Sequence, residues 1–191
     1  KEKEKGFRHV ERYDNVIYEF GTGGVHGFRT SGIYPGENEI LLSVDAKSYY
    51  PNLAILNNIY PRHLGHVFVD VYKDLYQRRI KAKKGSAMNE GLKIALNGVY
   101  GKSNDEYSFL YDPGYMITIT MNGQLLLAML AEMVTEAGGR IIMVNTDGIE
   151  IVVTLQTIGP VREQFKKWQQ ITGITLEEAT YSKLAVRDVN N

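Results

Sequence analysis

Arg140-Ile-Ile-Met-Val-Asn-Thr-Asp-Gly-Ile-Glu-Ile-Val-Val153 reads as two strands rich in β-branched residues, folded back on each other about Asn145-Thr-Asp-Gly148. It is the strongest hairpin signal in the chain, and a hairpin makes its two strands antiparallel. Outward from it, 40–44 reads as a buried strand, 16–20 as a short strand, and 176–189 alternates like a closing strand pair. Between them lie helical patterns at 67–84, 89–100, 119–134 and 161–171, the last carrying Trp168, expected to pack on the sheet. Strands joined by hairpins and interleaved with helices predict an α+β fold with an antiparallel sheet, rather than a regular parallel-sheet architecture.

With 191 residues, 43% of them hydrophobic, the chain is long enough to bury a core. It has no cysteine, which excludes disulfides and thiolate metal sites and fits a reducing compartment. No apolar run approaches the roughly 20 residues that cross a bilayer, so the expectation is a cytoplasmic protein without a membrane partner. Its 22 basic and 22 acidic residues cancel, so any hint of a polyanionic partner must come from their placement. Between Lys73 and Lys84 stand Lys73, Arg78, Arg79, Lys81, Lys83 and Lys84 against the single acid Asp74. The chain starts without methionine and stops directly after a strand-like segment, which suggests a piece of something larger.

Three stretches carry chemistry. Asp45 ends the apolar strand 40–44, where a carboxylate is held rigidly yet reaches solvent. Asp147 sits in the turn of the hairpin. Either alone is an ordinary cap or turn residue, but neighbouring strands of one sheet can bring two such acids together, and like charges in proximity call for a cation. Hard oxygen donors of this kind suit Mg²⁺ completed by substrate phosphates. In the helix 89–100, Leu92, Ala95, Leu96 and Val99 form an apolar stripe, with Lys93, Asn97 and Tyr100 on an adjacent face. Gly98 costs that helix about 1 kcal/mol relative to alanine, a cost that close approach of a base or sugar would explain. Arg79 and Lys83 are one helical turn apart in the segment 67–84, so both can point at one polyanion.

These residues resemble the motifs of family B (polymerase alpha-like) DNA polymerases of phage or mobile-element type. Asp45, Ser48, Tyr50 and Pro51 match Asp-x-x-Ser-Leu-Tyr-Pro, with Tyr49 in place of Leu. Lys93, Asn97, Tyr100 and Gly101 match Lys-x-x-x-Asn-Ser-x-Tyr-Gly, with Gly98 in place of Ser. Thr146 and Asp147 match Asp-Thr-Asp-Ser, with Asn145 and Gly148 in place of its outer residues. The resemblance implies a polymerase palm in two parts, 1–66 and 105–191, with a two-helix fingers insertion at 67–104. It implies template-directed DNA synthesis on primer-template DNA from deoxynucleoside triphosphates, with two Mg²⁺ ions replaceable by Mn²⁺. Asp45 and Asp147 would be catalytic metal ligands, joined by the Ala46 backbone carbonyl. Arg79, Lys83, Lys93, Ser48 and Tyr49 would bind the triphosphate. Tyr50 would be the steric gate against a 2′-hydroxyl, and Asn97 and Tyr100 would line the base-pair pocket. Gly23, Gly24, Gly101 and Lys183 would contact template or primer, Gly23 and Gly24 within the glycine-rich segment 21–27, read as a loop. Lys183 and residues 188–191 would open a primer-gripping segment. Exonuclease and thumb segments find no counterpart in the sequence.

Asn145 raises the alternative of a catalytically inactive polymerase-like module that only binds nucleotide or nucleic acid. A reverse transcriptase or RNA-dependent polymerase palm shares the paired carboxylates, but Lys93 in its helix and the bulky Tyr50 speak against it. A zinc site from His63, His66 and either His9 or His26 is compatible with their spacing, but four scattered histidines without a cysteine make surface or core side chains the stronger reading.

Overall fold

The structure is a computed structural model and describes residues 7–186; the primer-gripping residues 188–191 lie outside them. The chain divides into two compact units, residues 1–47 with 123–191 and residues 48–122.

The first unit is built on seven antiparallel strands: β1 (Arg8–Tyr13), β2 (Val16–Gly21), β3 (Gly24–Arg29), β5 (Glu39–Ala46), β6 (Arg140–Val144), β7 (Gly148–Thr154) and β8 (Leu176–Tyr181). Their spatial order is β1-β2-β3-β6-β7-β5-β8, and β4 (Gly32–Tyr34) pairs separately with β9 (Leu184–Val186). The fold is therefore α+β with an antiparallel sheet, as the hairpin pattern predicts. Strand alternation separates the two sheet faces. Leu42, Val44, Ile149, Ile151 and Val153 are fully buried on one. Helix α5 (Ile158–Thr172) lies against β7, and its buried Trp168 donates Nε1–H to the Leu126 carbonyl at 2.8 Å. The opposite face is apolar only at one end, where Leu41, Ile142 and Val152 pack under Tyr34, Leu184 and Val186. At the other end its residues are polar, and the site lies there.

Three strands escape the sequence reading: β1, β3 and the short β4. Asp14 and Asn15 both take positive φ in the turn joining β1 to β2, the backbone that a two-residue hairpin requires. The segment 21–27 is not an open loop: only Thr22 and Gly23 turn, and Gly24 begins β3, paired to β2 from Gly21↔Gly24 onward. Pairing on both edges of β3 outweighs the weak strand preference of its glycines.

In the second unit, α1 (Tyr49–Leu56), α2 (Val67–Lys81) and α3 (Ala87–Lys102) pack on one another. Helix α2 ends at Lys81, three residues short of the predicted end: Ala82 is extended, and Asn89 Nδ2 donates to the carbonyls of Arg79 and Ala82. Its buried face is Val69 and Tyr72; Val67 and Val71, with Leu75, line instead an open apolar cleft of about 320 Å³. Helix α3 starts at a Ser86 cap, whose Oγ accepts from Asn89 N–H, and runs on to Lys102, so it extends two residues beyond the predicted segment 89–100 at each end. Tyr72 donates its hydroxyl to the Leu96 carbonyl at 2.6 Å, and burial pushes that hydroxyl's pKa far up. Leu96 also sits within the helical ladder, so Tyr72→Phe is expected to cost about 1 kcal/mol, at the lower end for a buried hydrogen bond, as read by urea unfolding.

Helix α4 (Pro113–Glu136) starts earlier than predicted and corrects the membrane estimate: its 24 residues, with mean hydropathy 1.4 over 18 of them, are long and apolar enough to span a bilayer. Leu127, Leu130, Ala131 and Val134 on it are buried within the first unit. Polar residues at Thr118, Thr120, Asn122 and Gln124 interrupt the apolar run and hide its average from a linear reading.

Candidate functional site

Register alone sets one row of polar side chains. Asp45 on β5 stands opposite Gly148 on β7 and opposite Glu177 on β8. Glu150 stands opposite Ser43 on β5 and Met143 on β6, two residues along β7 from Gly148. Because side chains alternate with period two, Asp45, Glu177, Glu150 and Asn145 all fall on the same face. Asp147 stands at the turn. Its carbonyl accepts from Ala46 N–H at 2.8 Å, and Asn145 N–H donates to the Gly148 carbonyl at 2.9 Å. Backbone bonds thus fix both acid-bearing segments.

Gly148 is what makes the row possible: a Cβ there would collide with Asp45 Oδ1 and stand 2.9 Å from the Val44 carbonyl oxygen. The glycine hairpin backs the same turn. Gly24 has φ +139° and would bring a Cβ within 2.7 Å of Thr146 Cγ2, while buried Gln124 donates Nε2–H to the Gly21 carbonyl at 2.6 Å. A β-bulge between Ile141 and Met143 re-aims the last residues of β6 ahead of the turn.

The electrostatics are those of uncompensated acids. The Asp45 carboxyl is raised above its ordinary range by burial first, then by the charges of Asp147 and Glu177. Glu150 is pushed up to about 7 by burial and the Asp45 charge, with a smaller push from Asp147, against its own backbone N–H. Asn145 Nδ2 lies 3.4 Å from each Glu150 carboxylate oxygen. This donor set, hard oxygens held together against repulsion, fits Mg²⁺. Among the described residues no three His, Asp or Glu side chains converge to hold an ion by themselves. The fit is therefore to a cation that takes one or two carboxylates and completes its shell from substrate and water. His63 Nε2 instead meets the Phe109 carbonyl and His66 faces Asp70, so the zinc arrangement does not form.

Glu150 has a folded-state pKa above its unfolded value of about 4.5, so it stabilises nothing at high pH: stability of the metal-free chain falls as pH rises through the 4.5–7 window. The full linkage is about 3 kcal/mol, which solvent screening of a half-buried group reduces to ~1 kcal/mol. Melting of Glu150→Gln is expected to exceed that of the native chain by about 2–4 °C at pH 8 and by little at pH 5.

In the second unit, Arg79 Nη1 donates to Ser48 Oγ at 2.7 Å, and Ser48 stands at the start of α1 in left-handed backbone. Lys93 and Asn97 are exposed on α3. Lys83 lies past the end of α2, so the one-turn spacing to Arg79 does not exist. The Tyr49 ring is buried, 3% exposed, which leaves only its backbone for a triphosphate. Tyr50 and Tyr100 stack face to face, centroids 4.3 Å apart at 2°, and the Tyr100 hydroxyl meets Thr120 Oγ1 at 2.7 Å. Nothing lies within 4 Å of where a Cβ of Gly98 or Gly101 would stand, so one face of α3 is open. Gly23 is equally open at the hairpin tip, and Lys183 is exposed before β9.

The first unit thus brings Asp45, Ala46 and Asp147 together. The second brings Ser48 to Arg79 and Tyr50 to Tyr100. Sequence reasoning missed Glu150, although one signal marks it: it is the only charged residue inside the β-branched run 149–153 and shares the parity of Gly148.

No family model and no curated protein sequence matches this chain. Among solved structures it is similar to the family B DNA polymerase from the hyperthermophilic archaeon Pyrobaculum calidifontis, with TM-score 0.64 and 17% identity over 97% of this chain. The chain spans 28% of that polymerase's length. The likeness is one of fold, and it makes the architecture polymerase-palm-like.

Proposed function

We propose that this chain carries a template-directed DNA polymerase centre, which adds deoxynucleotides to the 3′ end of a primer. The observation that carries the reading is the fixed juxtaposition of Asp45 and Asp147 by strand register and the Ala46–Asp147 backbone bond, on a polymerase-palm-like fold.

Asp45, Asp147 and the Ala46 carbonyl would hold Mg²⁺, with Mn²⁺ able to substitute. When bound, such ions lower the pKa of the primer 3′-hydroxyl and neutralise the triphosphate and the departing pyrophosphate. The chain's own residues position the reactants. Asp45 and Asp147 concentrate negative charge at backbone-fixed points. Arg79, held by Ser48, offers a planar fork to phosphate oxygens. Lys93 and Lys83 add mobile point charges, and the backbone at Tyr49 adds N–H donors at a helix start without acidic side chains. Tyr50, braced by the Tyr100 ring, excludes a 2′-hydroxyl, while Asn97, Tyr100 and the open face at Gly98 receive the base pair. Gly23, Gly101 and Lys183 contact the template or primer backbone, which makes DNA binding salt-sensitive and indifferent to sequence, while Gly24, expected among them, is buried against Thr146 and supports the turn instead.

The test is single-nucleotide extension of a labelled primer-template at low salt with Mg²⁺ or Mn²⁺. Extension supports the reading; DNA binding without metal-dependent turnover would assign the chain to polymerase-like binding modules. In the same assay Tyr50→Val is expected to narrow discrimination against ribonucleotides by roughly tenfold or more, since a pocket's steric exclusion of one small group is worth 1–3 kcal/mol. Unchanged discrimination would remove Tyr50 from the gate.

A further inference from the structure

Asn145 lacks the charge that the polymerase motif it resembles carries at that place, and Glu150 lies where the loss can be made good. Asn145 and Glu150 share one sheet face, across the β6–β7 ladder that runs Met143↔Glu150, Val144↔Ile149 and, through the 2.9 Å backbone bond, Asn145 to Gly148. Both Glu150 oxygens stand 3.4 Å from Asn145 Nδ2. An ionised carboxylate only accepts hydrogen bonds, so the amide must present its N–H side to Glu150 and its Oδ1 away from it. On the same face Asp45 extends over Gly148, into space a Cβ would fill, one ladder step from Glu150. Glu177 belongs to the same row but differs: it is exposed and sits 3.4 Å from Lys47 Nζ, so its charge is already engaged.

Resting on the metal-dependent reading above, we propose that Glu150 is a positioning residue of the nucleotidyl-transfer centre: it orients the Asn145 amide so that Oδ1 serves as the oxygen donor in place of the missing carboxylate, and it returns the missing negative charge to the row. The motif's acid is thereby split over two residues, the oxygen at position 145 and the charge at position 150.

The test reads Mn²⁺ binding to the DNA-free chain, by the electron paramagnetic resonance signal of free Mn²⁺, for the native protein, Asp147→Asn, Glu150→Gln and the exchange variant Asn145→Asp/Glu150→Gln. Loss of an outer partner of a metal ligand costs about 10–100-fold in affinity. Glu150→Gln, which is isosteric, is expected to weaken Mn²⁺ binding about tenfold. The exchange variant, with the charge moved back to position 145, is expected to recover to within a few-fold of native. A side chain serving structure alone would leave Mn²⁺ affinity unmoved and would not be rescued by the exchange. Native affinity in Glu150→Gln alongside weakened binding in Asp147→Asn overturns the inference and leaves the metal site standing. Native affinity in both, or no binding by the native chain at millimolar Mn²⁺, overturns the inference together with the metal-site reading beneath it.

Discussion

Asp147→Asn is expected to reduce primer extension by on the order of 10³-fold, the scale seen when one group aimed at transition-state charge is removed. The residue is exposed at the tip of the β6–β7 turn, and its place is set by main-chain bonds: its own carbonyl accepts from Ala46 N–H, and Asn145 N–H closes the turn on the Gly148 carbonyl. Neither bond involves the side chain. The substitution therefore removes a charge without moving the backbone that carried it. Because the Asp147 charge is one of the causes that hold Asp45 above its ordinary range, the variant should be no less stable than the native chain and should leave Asp45 easier to ionise. Lost extension with an unchanged or raised melting temperature is thus the expected pair of results. Chelation of the divalent ion by EDTA is expected to produce the same loss, reversed by excess Mg²⁺. A variant that extends primers within tenfold of native would remove Asp147 from the reaction and with it the two-carboxylate mechanism.

Gly148→Ser is expected to harm the protein although it writes in the residue that the polymerase motif carries at this place. Any Cβ at position 148 meets Asp45 Oδ1 directly, with the Val44 carbonyl oxygen at 2.9 Å and Asp45 Cα at 3.2 Å. Two of those three neighbours are backbone in a paired strand, so the strain cannot be shed by a side-chain rotation alone. Overpacking of this kind costs about 1–3 kcal/mol. The atom that can yield is the Asp45 carboxylate, and a displacement of about 1 Å at a reacting centre can cost on the order of 10² in rate. Loss of stability and of extension should therefore appear together, unlike the result for Asp147→Asn. Denaturant unfolding and the extension assay on one preparation check both. Full activity in Gly148→Ser would mean that Asp45 reaches its working position by another route than across β7.

Much of the architecture was legible because it rests on local rules. The β-branched runs around Asn-Thr-Asp-Gly announce β6 and β7, and the apolar run before Asp45 announces β5. The misreadings have equally local causes. Glycines at 21–27 suggested a loop because strand preference is a weak guide where both edges of a strand are paired. Helical periodicity at 67–84 does not say which residues go inside: Val69 and Tyr72 are buried, while Val67, Val71 and Leu75 line an open apolar cleft. Lys83 looked one turn from Arg79, but Asn89, in the first turn of the next helix, takes the carbonyls of Arg79 and Ala82 where α2 ends at Lys81.

The candidate site divides the same way. By itself the sequence determined that an acid ends one apolar strand, that a second acid occupies the turn of a hairpin, and that a helix with Lys93, Asn97 and Tyr100 on one face lies between them in the chain. Residue type, local periodicity and turn chemistry suffice for that. Only the tertiary structure decided that β5 lies between β7 and β8, because pairing between distant strands is set by how whole faces bury. From that single choice follow the position of Asp45 opposite Gly148, the need for glycine there, and the arrival of Glu150 on the same face, beside an asparagine that stands where an acid is usual.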